Sequence, residues 1–172
     1  MMYIVLYYDK DSRFKIFDRN YDNKVKRSLA YHGLATLSAI LLGILLQIFL
    51  DFEITNILLY YFVIVLTANT FMAIIEFLII NFKDIGKFLA LILLVLQLAA
   101  AGGTFPIQTV TKGFRWMHNL LPMKYTINIL RETLIVIESK LLVKNIIIVF
   151  IIFIVLFVFN IINALIKQKK SL

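Results

Sequence analysis

The chain has 172 residues, 62% of them hydrophobic and only 16% charged, and a mean hydropathy of +0.91, which excludes an ordinary soluble domain with its ~25% of charged residues. The absence of cysteine excludes disulfides, thiolate metal sites and thiol catalysis. The net charge of +8 does not point to nucleic acid, because Lys and Arg cluster beside apolar runs, as orientation in a bilayer requires, and not along a phosphate-tracking groove.

Several apolar runs reach roughly 20 residues, the length that carries a helix across a ~30 Å hydrocarbon core. They do not alternate as transmembrane strands would. An all-α membrane protein follows, because backbone polar groups in lipid must be paired within the spanning element.

The opening MMYIVLYY is too short to span and lacks the basic start and cleavage site of a signal peptide. It reads as the end of a helix whose beginning is missing, or as a short interfacial helix rich in Tyr. Residues 9–28 are polar and carry seven Lys and Arg. Phe14, Ile16 and Phe17 give this cytoplasmic loop candidate an apolar surface for docking a partner; the plainer reading is a solvated basic loop that only orients the first span.

The first span is predicted over 28–50, with Ala35, Ala39 and Gly43 forming a stripe of small side chains that lets a neighbouring helix approach. The second covers 57–80. Tyr60 and Tyr61 stand near its outer end, at the expected depth of an interfacial belt, and Thr67, Asn69 and Thr70 lie near mid-depth, where they need partners within the bundle. Glu76 is the acidic residue inside this span. Because Lys83 and Lys87 follow it closely, snorkelling to the interface is expected over a proton relay.

The third span starts near Ile85 and runs through Gln97 into AAAGG, where Gly102 and Gly103 weaken the helix by about 1 kcal/mol each. The chain then passes Phe105 and Pro106, a residue without a backbone donor, and the aromatic and basic residues 113–117 suit the headgroup layer. After Leu121 and Pro122 an amphipathic helix is predicted over 124–139, with Ile127, Leu130, Leu134 and Ile137 toward the bundle and Lys124, Asn128, Arg131 and Glu132 on the other side. Crossing here would bury several charges at about 2.5–3.5 kcal/mol each near the bilayer centre. The expectation for 104–140 is therefore a re-entrant or interfacial helical hairpin before the last span, with Gly102, Gly103, Phe105, Pro106, Leu121, Pro122, Tyr125 and Arg131 as its defining residues. The last span is predicted over 145–166, where Asn160 and Asn163 share a face and seek partners on another helix.

Four spans with both termini cytoplasmic place twelve of the 18 Lys and Arg inside. The chain divides into a cytoplasmic segment 1–27, a transmembrane domain 28–166 and a cytoplasmic tail 167–172.

Two stretches, LQLAAAGGTFPIQ at 96–108 and LLPMKYTINILRE at 120–132, resemble the C-terminal membrane region of the YhgE/Pip (phage infection protein) family, grouped with the ABC-2-type transporter permeases. In that family an apolar span likewise runs into a GG-FP turn, an aromatic-containing loop and an LP-M-Y segment ending in LR before the last span. TVTKGF departs from the pattern, which tends to have a proline after the FP turn. The resemblance implies a partial permease bundle in a bacterial cell membrane, an export component working with other membrane subunits or the missing N-terminal helices and energised by a cytoplasmic ATPase. No phosphate-binding GxxxxGK[ST] loop occurs in the chain. The alternative is a membrane-anchored interaction protein, such as a phage receptor or an accessory subunit of a secretion machine. No cofactor, metal site or enzymatic chemistry is expected: His32 and His118 stand at opposite ends of the bundle, and no nucleophile with a base is apparent.

Overall fold

The computed structural model describes residues 24–50, 54, 56–100, 121–134 and 139–169. Among them every regular element is an α-helix: α1 (Lys24–Leu50), α2 (Ile57–Ala100), α3 (Pro122–Leu134) and α4 (Ser139–Lys169). Helices α1, α2 and α4 are each long and apolar enough to cross a membrane. Large apolar side chains cover their outward faces, Leu37, Leu41 and Leu45 on α1 and Ile147, Ile151 and Val155 on α4 among them. An apolar exterior of this kind belongs in lipid or against other membrane helices.

Four spans are predicted where three such helices are found among the described residues, and the difference lies in α2. Its 44 residues would reach about 66 Å if straight, twice the hydrocarbon thickness. It is not straight. Lys83 has φ 51° and ψ −121°, outside any helical region, and a Cβ added to Gly86 would overlap the carbonyl oxygen of Leu78 and lie 3.0 Å from the Cα of Ile79. Eight residues along a continuous helix are about 12 Å apart, so the chain folds back on itself at Lys83. The predicted inner loop is thus compressed into a one-residue break that helical geometry resumes on both sides. A lysine with positive φ is strained by its Cβ. Lys83→Gly is accordingly expected to raise stability by about 1 kcal/mol, read as a higher unfolding midpoint of the detergent-solubilised chain.

Helix α2 is the hub, in contact with α1, α3 and α4, while α4 also touches α1 and α3. It is capped by Asn56, whose side-chain oxygen accepts from Leu59 N–H at 3.1 Å and whose carbonyl accepts from Tyr60 N–H at 3.0 Å. The small-residue stripe of α1 does face inward: Ala35 and Ala39 are buried, and a Cβ on Gly43 would meet the Tyr61 ring at 3.0 Å. One turn further the Tyr61 hydroxyl donates to Gln47 Oε1 at 3.1 Å. Tyr60 departs from its expected place. It is 2% exposed, because neighbours in a helix point about 100° apart and the face that puts Tyr61 on α1 turns Tyr60 into the bundle, its ring edge-on to that of Tyr61 at 5.4 Å.

Candidate functional site

Helix α3 is where the described residues of the hairpin motif lie. Pro122 occupies the first helical position, where its missing N–H costs nothing, and Lys124 N–H closes the first turn on Leu121 O at 3.3 Å. The helix has 13 residues, about 20 Å, too short to cross a ~30 Å core. Leu121 and Pro122 are buried, Tyr125 is half-buried against the core, and Arg131 is exposed. Gly102, Gly103, Phe105 and Pro106, like the docking-loop residues Phe14, Ile16 and Phe17, lie outside the described residues.

The buried face of α3 is not the one expected from its apolar spacing. It runs through Pro122, Thr126, Ile129 and Thr133, whereas Ile127 and Leu134 are half-buried and Ile137 lies outside the described residues; of the expected face, Leu130 packs against the core. Threonine is admitted because its hydroxyl finds a partner within the helix: Thr126 donates to Met123 O at 2.9 Å and Thr133 to Leu130 O at 2.8 Å. Buried among these, Ile129 is 1% exposed and meets Val63 and Leu66 of α2 and Val149 of α4. These partners stand roughly 9–15 Å along their helices. The middle of α3 is therefore set well inside the end of the bundle where α2 and α4 begin. Lipid is as apolar as leucine, so this seat is held by close packing more than by water exclusion.

A second constellation lies toward the other end. His32 (α1), Asn69 and Glu76 (α2) and Asn160 (α4) are all buried, Glu76 at 7% and Asn160 at 0% exposure. Glu76 thus does not snorkel. His32 Nδ1 stands 2.9 Å from Asn69 Oδ1 and Nε2 3.5 Å from Glu76 Oε2. Asn69 Nδ2 donates to Thr36 Oγ1 and to Val65 O, both at 2.9 Å, and Thr36 donates onward to His32 O. Asn160 Nδ2 donates to Ala73 O at 2.9 Å and reaches Glu76 Oε2 at 3.4 Å. The rings of Phe153 and Phe157 meet the His32 imidazole edge-on, with centroids at 5.8 and 4.9 Å. Three helices are thereby cross-linked by polar groups within otherwise apolar surroundings. The expectation that polar groups bond across helices holds for Asn69 and Asn160 and not for Thr67 Oγ1 and Asn163 Nδ2, which are buried with no hydrogen-bond partner, while Thr70 donates to Leu66 O of its own helix at 2.8 Å.

The model of the ABC-2 type transporter membrane family matches residues 11–135, most of the chain. The chain belongs to the ABC-2 type transporter family. Within it the permease is YhgE/Pip-like: it is 44% identical over 69 residues to a protein of Bacillus subtilis (strain 168) described as "Uncharacterized protein YhgE". That alignment covers 40% of this chain and 9% of the relative, so the chain corresponds to a small part of that protein's length. No solved structure matches.

As an ABC-2 family member with several helices long and apolar enough to cross a membrane, the chain is a multi-pass membrane protein of a transporter family. Among the described residues no cluster of three or more His, Cys, Asp or Glu could hold a metal ion. The His32–Glu76 contact escapes sequence reading because its partners lie 44 positions apart. Two signals point to it in retrospect. His32 shares the helical face of Ala35, Ala39 and Gly43, and Asn69, Ala73 and Glu76 recur at four- and three-residue spacing on one face of α2.

Proposed function

We propose that this chain forms part of the helical pathway of a YhgE/Pip-like ABC-2 export system energised by a separate ATPase. The supporting observation is the seat of α3: a helix too short to span, carrying the LP-M-Y and LR motif, inserted between α2 and α4 with Ile129 at its centre. In this reading the two arms of α2 are separate spans, giving four in all. Residues 104–140 form a re-entrant hairpin on the outer side, and residues 28–166 are the transmembrane domain. Segment 1–27 and tail 167–172 are cytoplasmic. Other membrane subunits cover the apolar faces of α1 and α4 and complete the pathway, and the ATPase changes which of two helix arrangements is favoured.

Phe14, Ile16 and Phe17 are the proposed contact for the ATPase. The chain isolated from its native membrane is expected to carry ATP hydrolysis that its own sequence cannot supply, and replacing these three residues with Ser is expected to remove at least nine-tenths of it while membrane insertion is unchanged. Absence of hydrolysis with the native chain would favour the membrane-anchored interaction protein instead.

A further inference from the structure

The protons of the buried polar cluster can be counted from its geometry. Val65 O can only accept, so the Asn69 atom at 2.9 Å from it is the amide nitrogen, and the atom facing His32 Nδ1 is the amide oxygen. His32 is therefore protonated at Nδ1. Its other nitrogen faces Glu76 Oε2 at 3.5 Å. With no proton between them, an imidazole lone pair would confront a carboxylate away from water; with a proton on each, the site would hold an uncompensated positive charge. One proton, on either atom, leaves the pair neutral as a whole. Asn160 enters on the same logic. Ala73 O fixes its nitrogen toward α2, and that nitrogen reaches Glu76 Oε2 at 3.4 Å, while its buried Oδ1 and His32 Nε2 have no hydrogen-bond partner.

We propose that His32 and Glu76 form an intramembrane proton-binding site, holding a single proton between Nε2 and Oε2 that depends on α1 and α2 staying together. The groups facing the pair from the packed helices are uncharged: Asn69 from α2, and Asn160, Phe153 and Phe157 from α4. Of the charged groups on the same elements, Lys26, Arg27, Arg131, Lys140 and Lys144 are exposed, and Asp84 and Lys87 bond one another at 3.1 Å beside the Lys83 break. Separating α1 from α2 takes one of the proton's two partners away. Rearrangement of these helices and movement of that proton are then linked, whether or not the chain belongs to an exporter.

The test is nuclear magnetic resonance on the full chain in lipid bilayers at about pH 7, with ¹⁵N-labelled histidine and ¹³C-labelled glutamate. A His118→Asn background leaves His32 as the one histidine of the two in the sequence. The expected result is Nδ1 protonated, together with one proton on the pair: either Nε2 protonated and the Glu76 carboxyl ionised, or the reverse. Glu76→Gln is expected to leave Nδ1–H in place, which reports an intact Asn69 contact, with loss of any Nε2–H signal as the amide donates to Nε2. Both groups unprotonated, both protonated, or an Nε2–H signal that persists in Glu76→Gln would overturn the proposal.

Discussion

Replacing His32 with leucine is expected to destabilise the bundle by about 3–5 kcal/mol, whereas replacing His32 and Glu76 together with leucine is expected to restore most of that loss. The individual hydrogen bonds do not require so large an effect, since bonds between membrane helices average about 0.6 kcal/mol. The loss comes from what the single substitution leaves behind. Glu76 would remain buried, with Asn160 Nδ2 still 3.4 Å away, and a carboxyl in that position is costly charged or neutral. Removing both ends eliminates the stranded group. The double variant should keep a deficit of roughly 1 kcal/mol or more from the lost edge contacts of the imidazole with Phe153 and Phe157. Unfolding midpoints of the four proteins of this cycle in one detergent decide the matter. Equal losses in the single and double variants would mean that His32 acts through packing alone.

Gly86→Val is expected to prevent the fold of α2, and Gly86→Ala to cost about 1–3 kcal/mol. The neighbours of a Cβ at this position are the Leu78 carbonyl and the Ile79 Cα, all backbone atoms. A flexible side chain could swing aside; a helix backbone cannot. The break at Lys83 must then open, and every α2 residue beyond it loses its register against the first arm. Gly33 is the internal control. Nothing lies within 4 Å of a Cβ there, so Gly33→Ala should be neutral or stabilising by up to about 1 kcal/mol through helix propensity. The measurement is tryptic cleavage after Lys83 and Lys87 in reconstituted protein, expected to be slow in the native chain and in Gly33→Ala, and at least tenfold faster in Gly86→Val.

What could be read from the sequence followed from local spacing. The stripe Ala35, Ala39 and Gly43 identified the inward face of α1, since small side chains at four-residue steps mark a close approach whatever the partner is. The all-helical character and the short amphipathic helix after Pro122 are equally legible, its start expected at 124 and found at Pro122, while 135–138 lie outside the described residues. What failed was any judgement that needed a distant partner. Counting from the end of the apolar run puts Glu76 near the interface, but the carboxylate is buried and faces His32 and Asn160. The inward face of α3 does not follow from apolar spacing, because apolarity alone does not mark burial. Two threonines with internally satisfied hydroxyls sit on the buried face instead. The break at Lys83 falls between the expected spans, but the spacing does not show that it is confined to one residue, with Gly86, three residues on, required by the close approach.

The proposed export role depends most on the re-entrant course proposed for residues 104–140. The chain has no native cysteine, so single cysteines can be placed at Asn56, Thr111 and Lys140 and at Asn20 and Ser171, and each chain exposed in intact cells to an impermeant thiol reagent. The account predicts labelling at Asn56, Thr111 and Lys140 from outside and none at Asn20 and Ser171 until the cells are opened. Labelling of Thr111 and Lys140 from opposite sides, with Ser171 reached from outside, would mean that the segment crosses the membrane and would contradict it.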